Sequence, residues 1–169
     1  MEILQQLTKV EASETFKEWK AGMPKVFLSS LFVLIDGSRK DWQAAFYDPD
    51  SEHTTAFVIS DPVTLIPPSP TFKEPNARVH ALDISKVALD LPECLALVAE
   101  RQRKEFPAAM PSKIIAILQH LPVGQVYNVT YVTAMFSTLN MKIDAATREI
   151  REATLIPIMS FPNTRENSR

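Results

Sequence analysis

Histidine, cysteine, carboxylate and hydroxyl groups are what a protein of this size uses for chemistry, and here none fall at a spacing that makes them act together. The three histidines, His53, His80 and His120, lie far apart in different expected elements. No His-x-Glu, His-x-x-x-His or Cys/His spacing accompanies them, so no metal ligand set is expected. The single cysteine, Cys94, excludes an intramolecular disulfide and a cysteine-only zinc site. Its apolar helical surroundings predict a buried, inert thiol, and no base is placed to make it a thiolate. Asp48 and Asp50 flank Pro49 without the spacing of a calcium loop, and turn chemistry accounts for both carboxylates. The three glycines, Gly22, Gly37 and Gly124, are each isolated, so no glycine-rich phosphate cradle exists. Ser29 and Ser30 lack a nucleophile elbow, and the Asn128-Val129-Thr130 sequon lies within an expected strand. No catalytic, cofactor-binding or metal-ligating residue is expected, which points to binding rather than turnover.

Aromatic side chains are the remaining functional candidates. Trp42, Tyr47, Tyr127 and Tyr131, with Trp19, fit the concave face of a sheet that takes an extended peptide or an apolar ligand. The alternative is a sheet face covered by helices. An open strand edge would also bind a peptide by strand addition, with Thr54–Ile59 and the last strand as candidates.

The elements that must position these residues follow from periodicity. Ser13 caps a helix carrying Phe16 and Trp19 on one face, and Gly22 and Pro24 stop it; residues 2–9 form an earlier turn or helix. From Val26 the period changes to two, with apolar residues on both parities to Ile35, as in a central strand or one covered on both faces. Asp36-Gly37-Ser38 turns the chain, Trp42, Ala44 and Phe46 alternate with Gln43, Ala45 and Tyr47, and Asp48–Ser51 turns it again into Thr54–Ile59. Five of the thirteen prolines fall between Asp61 and Asn76, which predicts a semi-rigid connector. Its Pro67-Pro68-Ser69-Pro70 run also fits a proline-recognising partner. Arg78–Ile84 is expected to be a short strand.

The second half follows the same plan. Asp90 and Glu93 open a helix whose apolar face runs through Leu91, Cys94, Leu95, Val98 and Phe106. Strands follow at 114–118, 127–131 and 139–143, with Asp144–Thr147 turning into a last strand from Ile150 to Ile158 and a polar tail over Asn163–Arg169. The segments Lys25–Ser60 and Lys113–Leu155 thus read as copies of one strand-rich unit. The expected class is α+β, with two helix-plus-antiparallel-meander repeats sharing a sheet. Residues 1–61 form the first, 62–76 the connector, 77–162 the second and 163–169 the tail.

Bulk properties agree with a folded body. The 169 residues are 46% hydrophobic and 22% charged, enough for one domain or two small halves with one core. Lys+Arg of 18 against Asp+Glu of 20 leaves a charge of −2, with no drive toward nucleic acid or an anionic membrane. Val26–Ile35 is too short to span a bilayer as a helix. Met1–Gln6 shows no basic region followed by an apolar one, so no signal peptide is visible and a cytoplasmic location is expected.

The run Leu139-Asn140-Met141-Lys142-Ile143-Asp144-Ala145-Ala146-Thr147-Arg148-Glu149-Ile150, preceded by Tyr127-Asn128-Val129-Thr130, resembles the PepSY family and its strand and Asp-Ala-x-Thr-Gly-Glu-Ile hairpin. Trp42 through Thr55 is similar to a more degenerate copy, with Asp48 and Ser51 at the aspartate and hydroxyl positions. Arg148, and Glu52 in the first half, stand where the family has glycine, a residue that permits positive φ. Either the turn differs from the family's or the likeness is one of hairpin chemistry. The resemblance implies a non-catalytic module that binds a protein or peptide, a peptidase among the partners, with no catalytic residue. The competing readings are a small-ligand protein or enzyme with a cystatin-like curved-sheet pocket lined by Trp42, Tyr127 and Tyr131, and a subunit that forms a homodimer through an apolar face.

Overall fold

The structure, a computed structural model, describes residues 1–71, 73 and 77–157. Helices α1 (Glu2–Ala12) and α2 (Glu14–Ala21) lead into strands β1 (Phe27–Asp36), β2 (Arg39–Asp48), β3 (His53–Val58) and β4 (Thr64–Pro70). A short 3₁₀ turn at Ile84–Lys86 precedes α3 (Leu91–Glu105), which is followed by β5 (Pro111–Leu121), β6 (Gly124–Thr133), β7 (Ser137–Asp144) and β8 (Ile150–Pro157). All the strands form one eight-stranded antiparallel sheet in the order β4-β3-β2-β1-β5-β6-β7-β8. The α+β expectation is met. The polar tail and the last residue of the expected final strand lie outside the described residues, as does part of the connector.

Local chemistry sets the helix ends. Ser13 Oγ accepts from the Phe16 amide at 3.2 Å, and α2 stops at Gly22. Glu93 accepts from the Asp90 amide at 3.5 Å at the start of α3. Asp90, the N-cap residue of α3, accepts from the Glu2 amide at 2.9 Å through Oδ2, so its carboxylate meets the N-terminus of α1.

One face of the sheet carries the core. Leu31 and Val33 of β1, Trp42, Ala44 and Phe46 of β2, Phe57 of β3, Ala116 and Leu118 of β5, and Tyr127 and Val129 of β6 are all buried. They form one hydrophobic cluster with Ile3 and Val10 of α1, Phe16 of α2, and Leu91, Cys94 and Val98 of α3. Phe16 stacks 4.9 Å from Phe46 and 5.4 Å from Phe57, which fixes α2 on β2 and β3. The expectation that Phe16 and Trp19 dock this helix on a sheet is met. Phe32 and Leu34 of β1, with Ile115 and Ile117 of β5, face the other way and are half-buried. The two apolar parities of β1 therefore mark a central strand whose buried side chains lie on the helix face.

Two sequence expectations are corrected. The first meander has four strands rather than three, because Thr64–Pro70 of the proline-rich connector pairs with β3. Proline is tolerated there because β4 is an edge strand, whose outer side needs no donor. Arg78–Ile84 is not a strand. Its groups bond singly instead: the Leu82 amide donates to the Leu28 carbonyl, the Asp83 amide to Gln125 Oε1, and the Ala81 carbonyl accepts from His120.

Candidate functional site

The aromatic residues picked out by sequence are not brought together on an open face. Trp42, Tyr127 and Tyr131 lie at 5%, 1% and 3% exposure in the core beneath the helices. Tyr127 donates its hydroxyl to the Leu89 carbonyl at 3.0 Å, and burial raises its phenol far above the ordinary range. Tyr47 has the opposite parity on β2 and packs on Phe27 with ring centroids 5.5 Å apart. A shared ligand face of Trp42, Tyr47, Tyr127 and Tyr131 is therefore corrected. A period-two pattern reports which side chains share a face; it does not report whether a helix lands on that face. The same packing fills the space where a curved-sheet pocket over Trp42, Tyr127 and Tyr131 would lie.

Cys94 is fully buried, and burial pushes its thiol up to about 12. Among the described residues no group of three or more His, Cys, Asp or Glu side chains is placed to hold a metal ion. His80 and His120, far apart in sequence, do meet, with ring centroids 5.0 Å apart.

The two aspartate hairpins share their backbone conformation. Asp48 Oδ1 accepts from the Asp50 amide at 3.0 Å, and its Oδ2 from the Ser51 hydroxyl at 2.7 Å. Asp144 Oδ1 accepts from the Ala146 and Thr147 amides at 2.9 and 2.7 Å, and its Oδ2 receives the Arg151 guanidinium. Glu52 and Arg148 both adopt positive φ, 57° and 69°. A left-handed backbone, the conformation that suits glycine, is thus adopted at both positions by residues with a Cβ. The hairpins nonetheless occupy different places, since Asp48 ends β2 whereas Asp144 ends β7. The topological counterpart of the β2–β3 turn is the β6–β7 turn, where Phe136 takes φ 54° and Thr133 Oγ1 accepts from the Ser137 amide. Matching Asp48 with Asp144 as equivalent positions is therefore corrected.

The sheet has two edges with different chemistry. β4 carries Pro67, Pro68 and Pro70, which blunt it against further pairing. β8 has no proline before Pro157, and Arg151, Glu152 and Thr154 to Pro157 are exposed. Thr54–Ile59 is no edge: β3 is paired on both sides, and that expectation is corrected. Beside the C-terminal half of β8 lies an apolar corner that sequence reading missed. Leu155 and Ile156 are exposed on β8, Met135 and Phe136 are 75% and 69% exposed in the β6–β7 turn, and Met110 precedes β5. The pairs Pro111↔Thr133 and Ser137↔Pro157 bring these segments to the same end of the sheet. The available signal was two large apolar residues, Met135-Phe136, inside a turn.

No family model matches the chain, and no curated protein matches it in sequence. A solved structure of a putative lipoprotein from Clostridium difficile 630 shares the fold, with a TM-score of 0.50 at 9% identity over 84% of this chain and 90% of that one. At this identity the likeness shows the fold alone. The cytoplasmic expectation does not stand, since the solved structure that shares this fold is that of a putative lipoprotein. Among the described residues no helix is long and apolar enough to cross a membrane.

Proposed function

We propose that the protein is a non-catalytic binding module that takes an extended segment of a partner protein along the β8 edge. The observation that carries this reading is the contrast between the edges: one is blunted by prolines, and the other, among the described residues, has no strand beyond it and lies beside exposed apolar side chains. Strand addition supplies affinity through main-chain hydrogen bonds, while side-chain pockets and anchors supply selectivity. Phe136, Leu155 and Ile156 are the anchors, and the partner segment is β-forming with apolar residues near one end. The polar groups at the turns support a role without turnover: Asp48, Asp144, Thr133 and Ser13 are occupied in fixing backbone.

The PepSY-like reading rests on the Asp144 hairpin and on the positive φ of Arg148, and it makes a peptidase a candidate partner, restrained by occupation of its substrate-binding surface. An internal repeat agrees with the strand order, in which β1 and β5 are central and each half runs outward as a four-stranded meander after its helix.

Selection of binders from a displayed peptide library, followed by amide hydrogen exchange on the complex, tests the proposal. Bound peptide should slow exchange in β8, and Phe136→Ser and Ile156→Lys should each weaken binding roughly tenfold with the fold unchanged. Protection confined to other strands, or full binding by both variants, would sink it. Peptide cleavage by the purified protein would favour an enzyme.

A further inference from the structure

Residues 77–80, with the starts of β1 and β3 and the end of β5, line a groove of about 660 Å³. We propose that this groove binds a small molecule through an oxyanion, a phosphate or a carboxylate, held by Arg78, His80 and His120. The inference is independent of the β8 edge. Its basis is the charge of the lining. Acids outnumber bases 20 to 18 in the chain, yet no carboxylate lines the groove among the described residues, whereas Arg78, His80, His120 and Lys73 all do.

The geometry suits an anion. His120 Nδ1 donates to the Ala81 carbonyl at 2.9 Å, which fixes that ring; Nε2 then donates to an oxyanion only in the imidazolium form. The His80 ring lies 5.0 Å away at an angle of 39°. Arg78 adds a planar fork of donors matched to paired oxyanion oxygens. Lys73 is paired with Glu52 at 2.7 Å, which neutralises its charge, so Arg78 and the two histidines are the groups left for a ligand. Val79, Leu121 and Pro122 line the same groove and give the ligand's body an apolar surface, which favours an organic anion over a bare ion.

Phenyl phosphate and benzoate are the probes, titrated into the whole chain by calorimetry at low salt, with the histidine ring resonances followed by NMR. Saturable one-to-one binding is expected, with shifts at His80 and His120 and weakening by added salt. Arg78→Gln and His80→Gln should each weaken binding roughly tenfold, the size expected for loss of a charge-assisted hydrogen bond. Circular dichroism checks that both variants fold. Tighter phenyl phosphate identifies a phosphate site and tighter benzoate a carboxylate site, and either supports the proposal. Absence of saturable binding by both probes overturns it. So does binding that both variants retain in full, or one that shifts neither histidine ring.

Discussion

Removing the Asp144 carboxylate should cost more stability than its position in a hairpin suggests. The residue is 6% exposed, and its Oδ1 is the acceptor for the Ala146 and Thr147 amides while Arg151 meets Oδ2. A hydrogen bond to a charged acceptor contributes about 1.5–3 kcal/mol, and water recovers part of each in a half-buried turn. Asp144→Ala should therefore lower stability by about 2–4 kcal/mol, and Asp144→Asn, which keeps an oxygen for both amides, by about 1–2 kcal/mol. Urea denaturation measures the difference as a shift in midpoint at constant slope. Burial by itself raises the carboxyl's pKa, but the Thr147 and Ala146 amides and Arg151 outweigh it and hold the group below the ordinary carboxylate range. The folded-state pKa is thus lower than the unfolded one. The contribution is fully present above the unfolded carboxylate range, near about 3.9, and is lost as pH falls through the folded value. The gap between wild type and Asp144→Ala should close accordingly in acid. An Asp144→Ala variant within about 0.5 kcal/mol of wild type, or an asparagine as costly as alanine, would refute the reasoning.

Three further outcomes follow from the same packing. Tyr127→Phe leaves the Leu89 carbonyl without its buried donor and should lower stability by about 1–2 kcal/mol in the same urea assay. Cys94, its thiol pushed up to about 12 by burial, should react with a thiol reagent only at the rate of opening of the fold; rapid labelling of the native protein would contradict the burial. Arg148→Gly removes Cβ strain at φ 69° at the cost of an exposed contact with Glu93, and should raise stability by about 0.5–1 kcal/mol in thermal or urea unfolding.

What the sequence determined by itself is the set of features whose physics closes within a few residues. Ser13 as a cap, Gly22 as a stop, the alternation of Trp42, Ala44 and Phe46, and the aspartate turns at Asp48 and Asp144 each need only neighbours along the chain. The class of the fold followed from them. Tertiary structure decided whatever depends on which distant segment arrives alongside. Pro67, Pro68 and Pro70 argue against a strand until β3 offers one side for pairing and the outer side needs no donor. Trp42, Tyr127 and Tyr131 could have lined a cleft, and α1, α2 and α3 made their face the core. Asp90, which opens α3, accepts from the first amide of α1 only because the fold sets the two N-termini side by side. His80 and His120, 40 positions apart, meet only because the segment that carries His80 passes the end of β5, where the Ala81 carbonyl accepts from His120. The dividing line is range: caps, turns and alternation are fixed by bonds and sterics along the chain, whereas edges, grooves and buried faces are fixed by which surfaces the collapsed sheet and helices leave uncovered.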